Sequence, residues 1–165
     1  MKQLILIRHA KAVPAEEFAG ADQERPLTER GRRDAERMGM WLHAMVPQLE
    51  RVVASSSVRT RQTADYLLKA WQDGMPSVEY DDALYLPSLD TLLATIWGLD
   101  PELTTVALVG HNPSISDLLE YLTGEEHVSM PTCAIAVLQT EQTAWNQVRK
   151  GCCRLMFHRT PKDLR

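Results

Sequence analysis

The sequence predicts an α/β fold, a three-layer α/β/α sandwich with a mostly parallel central sheet and an antiparallel edge. Three observations predict it. Short apolar runs suited to buried strands recur at residues 4–7, 52–54, 106–109, 135–138 and 154–158. Stretches with helical spacing of apolar residues separate the first three of these runs and follow the third, and strands alternating with helices build a parallel sheet covered on both faces. The last two runs have no helix between them, so they add antiparallel neighbours at one edge.

Each element has its own signal. The run LILI at residues 4–7 gives a first strand, which stops abruptly at Arg8 and His9. Thr28 is a side-chain cap for a first helix, on which Ala35, Met38, Trp41, Leu42 and Met45 share one face. Residues 52–54 give a second strand, and helices follow over about 58–71 and 88–98. The strand at 106–109 leads through Gly110 and His111 to a helix over 113–122. That helix has Asn112 as its expected N-cap, Pro113 at its first position and Gly124 beyond its end. No repeat, low-complexity tract or linker divides the 165 residues, so a single domain over 1–165 is expected. A chain of this length buries roughly 70% of its unfolded surface, enough to hold a rigid site.

Composition narrows the function. No apolar run approaches the roughly 20 residues that cross a membrane, and the first residues have neither the h-region nor the cleavage site of a signal peptide, so the expected location is cytoplasmic. Cys133, Cys152 and Cys153 form no C-x-x-C pair and are expected as reduced, structural thiols. A net charge of −4 argues against a nucleic-acid partner. The charge is uneven, however. Residues 1–61 hold 11 Lys and Arg against 8 Asp and Glu, and residues 62–165 hold 7 against 14. A local basic site in an acidic molecule suits a small anionic group.

The unusual residues fall at strand ends. The first strand runs into Arg8 and His9, the second runs through Ser55 into a helix whose first turn carries Arg59 and Arg61, and the strand at 106–109 runs into His111. Carboxyl ends of parallel strands line the ligand crevice of an α/β sheet. A single histidine after a strand is ordinarily structural, but arginines in a first helical turn with no carboxylate until Asp65 oppose the helix dipole. A bound anion at that helix start offsets the conflict.

Two guanidiniums and two imidazoles suit a phosphoryl group, and a neutral imidazole is a competent nucleophile. One histidine attacks phosphorus while the other donates to a phosphoryl oxygen. The chain has no G-x-x-x-x-G-K-[ST] loop, no G-x-G-x-x-G turn and none of the usual metal-ligand spacings, so no metal and no cofactor are expected.

The segments LILIRHAKA, RPLTERGRRDAERM, SSSVRTRQTA and VALVGHNP together resemble, in order, the four signature segments of the histidine phosphatase superfamily, also called phosphoglycerate-mutase-like. The short length and the pattern RHAK…RPLTERG are similar to the SixA-type phosphohistidine phosphatases. The resemblance implies that His9 is the phosphorylated nucleophile and that Arg8, Arg59 and His111 complete the phosphate pocket. It adds Arg25 of the RPLT segment as a further substrate-binding candidate. The Asn112 backbone is another candidate, and Lys11 is expected either at the pocket mouth or in an exposed salt bridge. Ala10 stands where the commonest motif has glycine. Only 51 residues separate Arg59 from His111, and Glu79, Asp81, Asp82 and Asp90 match no family acid motif.

The expected activity is therefore metal-independent hydrolysis of phosphohistidine on a protein, such as a phosphotransfer domain, by a monomer. The alternatives are a phosphatase of a small phosphometabolite with the same mechanism, and a catalytically silent phosphate-binding module. Trp41, Trp71 and Trp97 are expected to pack core or helix faces. Arg30 or Arg33 is expected to border the pocket if the RGRRDAER helix face is more than solvated charge.

Overall fold

The computed structural model describes residues 1–165 and contains six strands and four α-helices. The strands are β1 (Lys2–Arg8), β2 (Arg51–Ser55), β3 (Ser77–Asp81), β4 (Thr105–Gly110), β5 (Ile135–Thr140) and β6 (Cys153–Arg159). The helices are α1 (Glu29–Met45), α2 (Val58–Leu67), α3 (Leu89–Trp97) and α4 (Ser114–Thr123). One sheet joins all the strands in the order β3-β2-β4-β1-β5-β6. The first four in that order are parallel, β5 pairs antiparallel with β1, and β6 pairs antiparallel with β5. The mostly parallel sheet with an antiparallel edge is thus the architecture that the apolar runs predict.

Side-chain alternation along each strand builds two cores. Leu4 and Leu6 of β1 enter one apolar cluster and Ile5 and Ile7 the other; Val106 and Leu108 of β4 are divided from Ala107 and Val109 in the same way. The first cluster takes Leu92, Leu93 and Ile96 of α3 with Ile115, Leu118 and Leu122 of α4. The second takes Ala35, Met38 and Leu42 of α1 with Ala64 and Leu67 of α2. Two helices cover each face, so the central strands are buried on both sides and read as continuous apolar runs.

Some local expectations change. β3 has no apolar run, because SVEYD lies at the sheet edge with its side chains largely exposed and is held by pairing with β2. Met45 is 38% exposed and Val46, just past the end of α1, takes the buried position instead. Trp71 packs in the core as expected, whereas Trp97 is exposed and anchors its indole N–H on the Val148 carbonyl at 2.7 Å. Asn112 does not cap α4, whose capping position is filled by Pro113. Its amide donates to the Met130 carbonyl at 3.0 Å and accepts from the Ser116 hydroxyl at 2.7 Å, which ties the β4–α4 turn to the segment before β5.

The turn after β1 is fixed by α1. Thr28 caps α1 by accepting from Gly31 N at 3.0 Å, and Thr28 N donates to the Lys11 carbonyl at 2.9 Å. A Cβ on Gly31 would lie 2.1 Å from that same carbonyl oxygen, so only glycine admits the close approach.

Candidate active site

The parallel order of β2, β4 and β1 brings their carboxyl ends to one rim. Arg8 stands in register with Gly110, so the two segments that carry histidine leave the sheet side by side. His9 N donates to the Gly110 carbonyl at 3.0 Å and Cys133 N donates to the His9 carbonyl at 3.0 Å, which prolongs the ladder by one residue and fixes the His9 backbone. The His9 Nδ1 lies 2.8 Å from the Ala10 carbonyl oxygen. A carbonyl can only accept, so Nδ1 carries the proton and Nε2 keeps its lone pair.

Thr63 links this turn to α2. Its hydroxyl accepts from Ala10 N at 2.9 Å and donates to the Arg59 carbonyl at 2.7 Å. α2 starts after Ser57, whose side chain caps Thr60 N, and its first turn holds no acid. The missing counter-charge comes from Asp22, in a short 3-10 turn (Asp22–Glu24) far back in the chain. The buried Arg59 guanidinium donates to the Asp22 backbone carbonyl at 2.8 Å and to its carboxylate at 3.1 Å. The Asp22 carboxylate also accepts from Arg25 Nε at 2.9 Å and from the Tyr85 hydroxyl. Arg25 is held in turn by the Val13 carbonyl at 2.7 Å.

His111 is buried with Nε2 at 2.8 Å from the Ser55 hydroxyl at the end of β2. Its ring centre lies 5.4 Å from that of His9 and 5.5 Å from that of Tyr85, to which it stands perpendicular. Three buried side-chain nitrogens in the protein have no hydrogen-bond partner: Arg8 Nε, Arg59 Nε and His111 Nδ1. All three belong to residues lining one cavity of about 590 Å³. Buried polar atoms are normally satisfied, so three unpaired nitrogens around one hollow mark a place for oxygen acceptors.

The electrostatics follow from burial. His9 is pushed down to about 3, chiefly by burial, with the charges of His111, Arg59 and Arg8 adding to the effect and the Ala10 hydrogen bond opposing it. His111 is pushed down to about 4, again by burial first and by the Arg59 charge second. Both imidazoles are neutral at pH 7. For His9, burial is a larger cause than the neighbouring arginines. The Tyr85 hydrogen bond, helped by Arg25 and Arg59, holds the Asp22 carboxyl well below the usual carboxylate range.

The cavity is lined by all six residues singled out in the sequence, Arg8, His9, Arg25, Arg59, His111 and Asn112, and by Lys11 at its edge. Arg61 is not among them. It donates to the Ser56 carbonyl and stacks 4.0 Å over the Tyr80 ring on the outer side of α2. Arg33 pairs with Glu29 on the surface, and Arg30 lines a neighbouring cavity. Glu79, Asp81, Asp82 and Asp90 all lie outside the cavity; Glu79 pairs with Arg51 and Asp81 caps Ala83 N. Asp22 and Tyr85 are the residues that sequence reasoning missed. Asp22 has one faint signal, its i,i+3 spacing to Arg25, and Tyr85 has none.

Known proteins share the sequence and the fold of this chain. The sequence profile of the histidine phosphatase superfamily (branch 1) matches residues 4–85. An uncharacterized protein of Mycobacterium leprae is 32% identical, over 94% of this chain and 100% of its own. The structure of a Nakamurella multipartita protein assigned provisionally as phosphohistidine phosphatase SixA is similar with a TM-score of 0.83 at 30% identity, covering 97% of this chain and 96% of that one. The protein histidine phosphatase SixA complexed with tungstate is similar with a TM-score of 0.83 at 25% identity, over 99% of each chain.

Proposed function

The chain belongs to the histidine phosphatase superfamily, in its SixA-type branch, and from that premise we propose that it hydrolyses phosphohistidine through a phosphate carried on His9. The observation that carries the proposal is the pairing of a neutral His9, with its lone pair on Nε2, with three unpartnered nitrogens on Arg8, Arg59 and His111 around the same hollow. In the first step His9 Nε2 attacks phosphorus, a new N–P bond forms, and the N–P bond to the substrate imidazole breaks. In the second step water attacks the phospho-His9, the Nε2–P bond breaks and inorganic phosphate leaves. Arg8, Arg59 and His111 hold the phosphoryl oxygens in both steps, where charge accumulates in the transition state. Arg25 and Asn112 line the outer part of the pocket and take the lesser, positioning share.

Asp22 favours phosphohistidine over phosphate esters. An ester releases an alkoxide that needs a proton as it departs. The carboxylate in this pocket is held ionised by Tyr85, Arg25 and Arg59 and has no proton to give. An imidazole can be protonated before it leaves, so a phosphohistidine substrate dispenses with the acid.

Rapid quenching under neutral or basic conditions tests the mechanism. Phosphate is expected on His9, lost in acid and stable in base, and His9→Ala is expected to abolish turnover. Phosphate trapped on serine or cysteine would exclude this mechanism. Arg59→Ala and His111→Ala should each lower kcat/KM by roughly 100-fold or more. Across substrates, kcat/KM for phosphohistidine should exceed that for phosphoserine peptides and sugar phosphates, and a preference for an alkyl phosphate would reassign the substrate.

A further inference from the structure

A second cavity of about 530 Å³ opens beside the catalytic one, and the two share Lys11 and Thr132 as a common wall. Its lining gathers four cationic side chains, Lys11, Arg30, Lys162 and Arg165, around a single side-chain carboxylate, Asp34. Asp34 is almost fully buried, bonded to Arg165 at 3.2 Å with Arg30 Nε at 3.9 Å, so its charge is already taken up. Neither Lys11 nor Lys162 forms an ion pair. Apart from two prolines the lining is polar or charged.

The cations are built into place. Lys11 follows His9 by two residues, on the turn that Thr28 and Gly31 hold. Arg30 stands in the first turn of α1, where the helix dipole opposes it, as it opposes Arg59 on α2. Lys162 and Arg165 come from a 3-10 turn (Pro161–Leu164) fixed by the reciprocal Thr160–Asp163 cap and by the buried Pro161. Three separate segments therefore aim positive charge at one groove in a molecule of net charge −4. The Arg30 and Arg165 side chains are 50% and 38% exposed and already share Asp34, so they are too solvated to clasp one small anion. Several weak, screened contacts suit an acidic surface that is already held nearby.

We propose that this groove docks carboxylates flanking the phosphohistidine on a protein substrate, so that the groove selects the protein while the adjoining pocket handles the phosphoryl group. The proposal rests on the phosphohistidine reading given above. It predicts steering that depends on ionic strength, because exposed charge pairs are screened by salt.

Two phosphohistidine peptides, one with aspartates and glutamates around the phosphorylated residue and one with serines and glycines, test it beside free phosphohistidine. At low salt the wild type is expected to favour the acidic peptide by about tenfold in kcat/KM, through KM, and to lose that preference near 0.5 M NaCl. Lys162→Glu and Arg30→Gln should remove the preference while leaving kcat and the turnover of free phosphohistidine unchanged. Equal kcat/KM for the two peptides, or variants that keep the preference, would overturn the docking groove. An equal rise in KM for a small carboxylated phosphate ester in the same variants would also overturn it, by assigning the groove to a second charge on a small substrate. If the wild type turns over neither peptide nor free phosphohistidine, the proposed reaction fails on its own. The groove is then decided by fluorescence anisotropy of the unphosphorylated acidic peptide, where saturable binding lost in Lys162→Glu supports it and absent binding refutes it.

Discussion

Burial contributes more than neighbouring charge to the low pKa of His9, and this governs the response to acid. Unfolded, His9 and His111 take up protons near their ordinary value of 6.5; folded, they do so only near 3 and 4. Between those values the unfolded chain binds more protons, so acid favours unfolding. The contribution of the two imidazoles is fully present above pH 6.5 and is lost as the pH falls to about 4 for His111 and about 3 for His9. The melting temperature should therefore drop across that window, and His111→Asn should flatten the slope in a thermal melt series. His9, the proposed nucleophile, remains neutral over most of that range, so kcat/KM should persist well below pH 6 while the protein stays folded; an NMR titration showing His9 charged at pH 7 would contradict this. Asp22 adds a second residue-scale prediction. Its carboxylate shares Arg59 with any bound anion, so Asp22→Asn should lower the inhibition constant of phosphate severalfold, about 1 kcal/mol for one exposed charge at short range.

At the scale of elements, the site depends on how the turn after β1 is pinned between α1 and α2. Thr63 satisfies Ala10 N on one side and the Arg59 carbonyl on the other. Thr63→Val keeps the shape but leaves the Ala10 N–H buried without an acceptor, at a cost of about 1–3 kcal/mol. It should lower the melting temperature and also reduce kcat more than it raises KM, because the residue touches the backbone of the turn and not the phosphoryl group. A purely structural role would leave kcat unchanged at temperatures where the variant is folded. How far these elements were legible in the sequence depends on the kind of signal each leaves. Thr28 announces α1 through capping chemistry and a helical apolar face follows it, and β1, β2 and β4 announce themselves by being buried on both sides. β3 is exposed at the edge and leaves no period to read. Asp22 and Tyr85 reach Arg59 across 37 and 26 positions of the chain, and no local pattern encodes a contact made only by the tertiary fold.

At the scale of the molecule, two cores on opposite faces of the sheet hold Arg8, Arg25 and Arg59 around one hollow against a single carboxylate. Like charges kept this close repel, and the fold bears that repulsion because Asp22 offsets part of it. An oxyanion bound in the cavity, as the proposed function requires, would offset the rest and bring acceptors to the residues that carry the three unpartnered nitrogens. It binds the folded protein and has no matching site on the unfolded chain, so it must raise the stability by mass action. Tungstate at 100 times its dissociation constant should stabilise the protein by about 2.7 kcal/mol, read as an upward shift of the melting temperature that grows with concentration. Arg59→Ala should lose most of that shift, because it removes both a charge and one of the unpartnered donors. A chelator should leave the shift and the phosphatase activity unchanged, since the proposed chemistry is carried by side chains of this chain alone. A stabilisation that persists in Arg59→Ala would place the anion elsewhere on the protein, and with it the phosphate pocket.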